Sequence, residues 1–389
     1  MVMELSGPLA PVAKPIVDSA NLALTHINAN GGIKGCPVEL SVRDSQGQPN
    51  IGVDAAKYLV DVDRVSALTG GLASGVSLPV LVSVAVPSGI PFVACCSTAA
   101  TFTQLAEEGK TNGLFFHLMA MVKTQAYAAA KSATDRGFKK IAVIYINGDF
   151  GVGLTKYFPA AVEKLGGTVT AMVPYNENQT SYRAEINKAL EGKPDLLYLA
   201  AYPQDGATIT REWLSFGGTS NLLLHNALRN VDYLKAVGTE NLQSAFGYDN
   251  APAEGPSTAL FRKVFAETYG FPPDGAGILP QYDAMMVLAL AMNIAPDRSG
   301  TAIRDSIRRI HAAGGTDVGT GPEGYAQALA LIKEGKPIKY IGATGPIEFD
   351  QFGDVAGPML IWSVKGDKVE VQQTMTIADI NEIMKLVDR

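Results

Sequence analysis

Ser74 and Ser77 lie in the stretch TGGLASGVS, residues 69–77, between the apolar runs RVSALTG and LPVLVSVAV. A strand that runs into glycines and hydroxyls at a helix start is an anion-holding arrangement, because the first N–H groups of the helix are unpaired and carry partial positive charge. A phosphate loop needs lysine after its last glycine, and Gly75 is followed by Val76. The glycine spacing does not fit a GxGxxG dinucleotide loop. Ser74 directly precedes Gly75, so it is not the serine of a GxSxG nucleophile elbow, and no such elbow occurs elsewhere. A carboxylate suits the turn; the alternative is that Ser74 only caps its helix. The next turn, FVACCSTAATFTQL, again ends a strand with hydroxyls, Ser97 and Thr98, although Thr98 also fits a plain cap. Side by side on neighbouring parallel strands, the two turns fit one carboxylate, which accepts several hydrogen bonds, better than either does alone.

Three later strand ends carry further candidates: NGDFGVG with Asp149 and Phe150, AAYPQDG with Tyr202 and Asp205, and HNALRN with His225, Asn226 and Arg229. Phe150 and Tyr202 stand at turns, where ligand contact competes with packing. Each polar residue also fits a solvated loop. The four histidines, His26, His117, His225 and His311, are far apart and there is no CxxC, so neither a metal centre nor a cofactor is expected. Adjacent Cys95 and Cys96 are expected to stay unbridged, since neighbouring Cα atoms are only ~3.8 Å apart. With Cys36 the only other cysteine, the redox compartment stays open.

These candidates need elements to hold them. Strand and helix alternate from residue 1 to about 120 and again to about 249, which predicts two doubly wound α/β units with parallel sheets. Ligands of such sheets sit beyond the carboxyl ends of the strands. The remainder has long helices (TALFRKVFAETYG, LPQYDAMMVLALAMNIA) and then short strands (IKYIGATG, PIEFD, PMLIWSV, KVEVQQT), and is expected to complete both units rather than form a third. The expected division is lobe 1 at residues 1–121 and 250–356 and lobe 2 at 122–249 and 357–389, with three hinge crossings near Met121, Asp249 and Gly357 and a ligand cleft between the lobes. A net charge of -6 with scattered Lys and Arg argues against nucleic acid. No apolar run reaches the ~18 residues of a membrane span. Because MVMEL opens in mid-strand, a leader is expected to have been removed, with Met1 added.

The ordered motifs LSGPLAPVAKPIVDSANLALTHINANGGIKG, TGGLASGVS, IPFVACCSTAATFTQL, IAVIYINGDFGVGL, LLYLAAYPQDG and GPIEFDQFGDV resemble bacterial branched-chain amino-acid-binding proteins, the type I periplasmic solute-binding proteins of ABC importers. The resemblance covers nearly the whole chain. It implies that Ser74, Thr98 and neighbouring Ser97 meet the ligand carboxylate, that the Cys96 carbonyl faces a ligand ammonium, and that Phe150 and Tyr202 take the family's two tyrosine positions. The departures are as informative. The acid that pairs with the α-ammonium falls at or beside Asn226, with His225 at the ligand if the register slips. A hinge aspartate falls at Val122, an arginine near His117, an aromatic at Val12, and a disulfide of some members near Gly47 and Ala73 is missing. The stretch 311–339 is longer than in the simplest members.

The resemblance implies a non-enzymatic, monomeric periplasmic protein that binds a small carboxylate by hinge closure and delivers it to an ABC permease. Loss of the ammonium's partner points to an aromatic or other organic acid, with Met119 and Met121 among the residues able to flank a ring. A neutral or branched-chain amino acid stays open, with Asp149 or Asp205 supplying the charge. The alternatives are a ligand sensor on the same fold, cytoplasmic or periplasmic, and a dehydrogenase or hydrolase, against which the failed motifs count.

Overall fold

The structure, a computed structural model, describes residues 1–388. The chain opens with β1 (Val2–Met3), α1 (Ala10–Ala29), β2 (Arg43–Asp44), α2 (Pro49–Asp61), β3 (Leu68–Gly70), α3 (Ser74–Val80), β4 (Phe92–Ala94), α4 (Ala100–Glu107) and β5 (Phe115–His117). The strands form one parallel sheet in the order β2-β1-β3-β4-β5. Within VELSVRD only Arg43 and Asp44 form a strand, pairing with Val2 and Met3; β1 is two residues long and offers no more partners. After Pro79 the helix α3 loosens into a π-turn segment, Leu81–Ala85.

The second series is α5 (Val122–Asp135), β6 (Lys140–Ile146), α6 (Asp149–Lys164), β7 (Thr168–Tyr175), α7 (Arg183–Leu190), β8 (Leu196–Ala200), α8 (Pro203–Ser215), β9 (Leu222–Leu224), α9 (Val231–Val237) and β10 (Phe246–Asn250). Every residue of β8, and all of β6 but Lys140, is buried, as expected of strands covered by helices on both faces. The chain continues through α10 (Pro256–Tyr269), α11 (Ile278–Ile294), α12 (Gly300–Ile307), β11 (Thr316–Val318), α13 (Gly321–Lys333) and β12 (Ile338–Tyr340). It ends with β13 (Met359–Lys365), β14 (Lys368–Met375) and α14 (Ile377–Val387). The second sheet has the order β14-β13-β10-β9-β8-β6-β7, with β13 and β14 antiparallel additions at one edge.

Two compact units result, Met1–Met119 with Pro252–Ala356 and Ala120–Ala251 with Gly357–Arg389. In the first, α11 is buried from Ile278 to Ala291 and packs on α1, where Ser19 Oγ donates to the Ile278 carbonyl and His26 meets the Tyr282 hydroxyl at 2.8 Å. The long stretch 311–339 forms α13 and the small parallel pair β11–β12. In the second, two crossing segments are tied together, Ala120 N–H to Asn250 Oδ1 and Ala251 N–H to the Pro358 carbonyl. Among the described residues, no helix is long and apolar enough to cross a membrane.

Candidate functional site

In the first unit, the glycine-rich turn follows β3. Gly70 and Gly71 have φ of +102° and +71°, and a Cβ on Gly71 would come within 2.8 Å of Ser77 Oγ and 2.9 Å of the Phe92 ring. Only glycine brings the chain that close with that backbone. The two predicted turns are stitched together. Ser97 Oγ donates to the Gly71 carbonyl and lies 2.7 Å from Ser77 Oγ. Ser74 Oγ accepts from the Thr98 and Ala99 N–H groups, each at 3.2 Å. Ser74 therefore ties down the two residues ahead of α4 and caps neither that helix nor its own; Thr98 caps neither, since the residue before α4 is Ala99. With two N–H groups directed at its oxygen, Ser74 keeps its own O–H as a donor. Ser74, Ser77, Ser97 and Thr98 are all buried at the strand ends.

The backbone N–H groups of this turn already hold a carboxylate from the chain itself. Glu4, 1% exposed at the end of β1, accepts from Ala73 N–H at 3.1 Å through Oε1, while Oε2 has no partner. Burial pushes its carboxyl up to about 7, against bonds from the Ala73 and Leu72 backbone that lower it. The loop after Glu4 is fixed by Asp44, which accepts from Leu5 N–H, Ser6 N–H and Ser6 Oγ. Sequence reasoning missed Glu4; an acid within the apolar opening VMEL was the available signal.

Cys95 and Cys96 are joined as a vicinal disulfide, contrary to the expectation from relaxed bridge geometry, and Cys36 is free. The Cα separation is the 3.8 Å of any adjacent pair, so the bond closes within the turn that ends β4. Gly277 makes room for it, because a Cβ there would lie 2.4 Å from the Cys96 sulfur. Near the first crossing, His117 Nε2 bonds Asp354 Oδ1 at 2.6 Å and Thr103 Oγ1 bonds its other oxygen. Burial raises the Asp354 carboxyl, but these two partners outweigh it and leave it below the ordinary range.

In the second unit, Phe150 opens α6 and lies over His225, ring centroids 4.6 Å apart; Tyr248 meets the other side of His225 edge-on at 5.9 Å. The imidazole accepts from Ala227 N–H and also bonds the Ala201 backbone. Burial pushes its pKa down to about 3, so it is a neutral, enclosed spacer. Asn226 bonds Asp249, which Arg229 also meets at 3.4 Å. Asp249 thus has both a guanidinium and an amide to answer it. Asp149 is half-buried in the first turn of α6, its carboxyl raised by burial.

A second cluster forms at the ends of β7 and β8. Asp205 Oδ1 accepts from the Tyr182 hydroxyl at 2.6 Å and from Asn178 N–H, while its Oδ2 has no partner. Tyr202 N–H donates to the Tyr175 hydroxyl, and the Tyr175 and Tyr182 rings meet edge to face at 5.4 Å. Half-buried Glu177 lies close enough to Asp205 to feel its charge; burial first, then Asp205, pushes its carboxyl up to about 7. Among the described residues, no group of three or more His, Cys, Asp or Glu is placed to hold a metal ion.

The periplasmic binding protein family profile matches residues 1–339. The chain is 28% identical over 362 residues to Leu/Ile/Val-binding protein homolog 3 of Brucella melitensis, covering 92% of this chain and 88% of that one. It is 23% identical to the chemotactic signal transduction system substrate-binding protein BasB of Halobacterium salinarum, covering 89% and 82%. Two solved structures share the fold: the leucine-binding protein LivK of Thermotoga maritima (TM-score 0.82, 22% identity, 97% and 98% covered) and LivJ of Streptococcus pneumoniae in complex with isoleucine (0.79, 19%, 96% and 97%). Both carry the two-lobed α/β architecture with parallel sheets built above. The chain belongs to the periplasmic binding protein family, a solute-binding and not a catalytic family, with the type I fold and a relationship to the Leu/Ile/Val-binding proteins.

Proposed function

We propose that this protein captures a small carboxylate between its two lobes by hinge closure and delivers it to the transmembrane subunits of an importer. The observation that carries the reading is the stitching of the two first-lobe turns, in which Ser74 Oγ takes the Thr98 and Ala99 N–H groups and keeps its own O–H to donate. Ser74 and Thr98 meet the carboxylate, with Ser97 behind them, its hydroxyl spent on the Gly71 carbonyl, the Cys96 carbonyl beside them and Phe150 and Tyr202 bounding the ligand from the second lobe. His225 shapes that wall from behind Phe150.

The ligand is an organic acid without an α-ammonium. The resemblance sets the family's ammonium-pairing acid at or beside Asn226, whose side chain is engaged by Asp249, itself paired with Arg229. An ammonium enclosed there would lose its water shell without gaining a charged partner, at a cost of several kcal/mol. Competition binding between leucine and 4-methylpentanoate tests this. Wild type should prefer 4-methylpentanoate, and Asn226→Glu should shift preference to leucine; wild-type preference for leucine would refute the reading. It would support instead a branched-chain amino acid, the ligand class in the names of several relatives. The likeness to BasB favours a second role, as the receptor of a signalling system. Co-purification of the liganded protein with a permease rather than a transducer separates the two.

A further inference from the structure

The second lobe holds two carboxyls that no cation among the described residues neutralises. Asp205, 5% exposed, spends Oδ1 on Tyr182 and Asn178 and leaves Oδ2 without a partner. Glu177 has no described hydrogen bond or ion pair, and the one charge that acts on it is Asp205, of its own sign. A buried carboxylate oxygen with no donor is costly, and a like charge beside it adds to the cost. By contrast, Asp249 in the same lobe is answered by Arg229 and Asn226, and Asp354 in the other by His117 and Thr103.

The walls around the two carboxyls are aromatic. Tyr182 reaches Asp205 through its hydroxyl, Tyr175 packs edge-on against Tyr182 and feels both carboxyls, and Tyr202, half-buried, ties its backbone to Tyr175. Carboxylates pair with cations through charge-assisted hydrogen bonds, and the Tyr182 hydroxyl holds Asp205 by Oδ1 alone; the corner suits an organic ammonium, which has no strict coordination geometry to satisfy. The corner also stands apart from Asn226. Asn226 follows β9, Asp205 follows β8 and Glu177 follows β7, with β6 between the last two. At ~4.8 Å per strand spacing, the corner lies one to three spacings from Asn226.

We propose that Glu177 and Asp205, walled by Tyr175, Tyr182 and Tyr202, bind an amine cation of the solute, and that the solute carries this amine away from its α-carbon. The inference rests on the carboxylate reading above for the solute's other end. Ligand binding supplies the donor that Asp205 Oδ2 lacks and separates the two like charges.

The test uses 5-aminopentanoate and its isostere hexanoate, in which a methyl replaces the ammonium. Titration calorimetry on the whole protein should give an affinity at least about tenfold higher for 5-aminopentanoate. Glu177→Gln, which removes a charge and no hydrogen bond, should abolish that preference and leave hexanoate unchanged or tighter. Asp205→Asn keeps an oxygen to accept from Tyr182 and should likewise lower the preference for 5-aminopentanoate; a preference unchanged in this variant overturns the proposal. Equal binding of the two probes by wild type, or a preference that survives Glu177→Gln, overturns the proposal while leaving the carboxylate reading intact. A readout independent of any carboxylate is the carbon-13 resonance of the Glu177 carboxyl titrated with n-butylammonium. A saturable shift with failure of hexanoate to bind would keep the amine site and sink the carboxylate reading. No shift sinks the amine site.

Discussion

At the carboxyl ends of the first lobe's strands the chemistry is hydroxyl and N–H: Ser74, Ser77, Ser97 and Thr98, linked across two turns. At the same ends of the second lobe it is ring and carboxyl: Phe150 on His225, the tyrosines around Asp205 and Glu177, and the closed set Asp249–Arg229–Asn226. Each lobe is built by the same βαβ logic, so the backbone places equivalent helix starts at both sheet edges. Side chains decide what those starts face. In the first lobe they add donors, and the buried acid Glu4 is lodged against the turn's own N–H groups. In the second they add acceptors and leave two of them without a partner.

The largest effect should come from breaking the satisfied part of the second lobe. Arg229→Met leaves Asp249 buried and without its cation, and should cost roughly 3–5 kcal/mol of stability, read from urea unfolding; adding Asp249→Asn should recover part of it. A loss of under about 1 kcal/mol would mean that the pair is not what closes this edge.

The first lobe's buried acid should show in pH dependence. The folded Glu4 carboxyl titrates at about 7 against 4.5 ordinarily, so the folded chain holds its proton more tightly than the unfolded chain. Its contribution is complete below the ordinary value and is lost as pH rises through about 7, by roughly 3 kcal/mol in total. Glu4→Gln is neutral throughout, so the variant should gain on wild type as pH rises across that window. Parallel profiles would contradict the burial of Glu4.

Much of the fold was legible because βαβ alternation and buried parallel strands are local patterns: KIAVIYI and DLLYLAAY read as strands from their own residues. The paired hydroxyl turns were legible for the same reason. What could not be read were contacts that depend on register between distant segments. Glu4 meets Ala73 across 69 residues, and Ser74 accepts from N–H groups 24 and 25 residues later. Asn226 could be flagged as a departure, but its bond to Asp249 and the Arg229 contact needed β9 and β10 to be neighbours. The disulfide failed as an expectation because a rule for relaxed bridges does not foresee a turn with Gly277 cleared behind it.

The smallest effect concerns that disulfide. Reduction, or Cys95→Ser with Cys96→Ser, closes or opens only a two-residue loop, and should change stability by about 1 kcal/mol. Maleimide labelling of the unfolded, unreduced protein should mark Cys36 alone, and all three cysteines only after reduction. Labelling of all three without reductant would show that the bond is absent.

The central claim is that the stitched turns of the first lobe hold a carboxylate. Calorimetric titration with 4-methylpentanoate of wild type, Ser74→Ala and Thr98→Val addresses it most directly. Each variant removes a hydrogen bond to a charged oxygen and should weaken binding by ~1.5–3 kcal/mol. Unchanged affinity in both variants would leave Ser74 with nothing but its role at the start of α4, and would contradict the account.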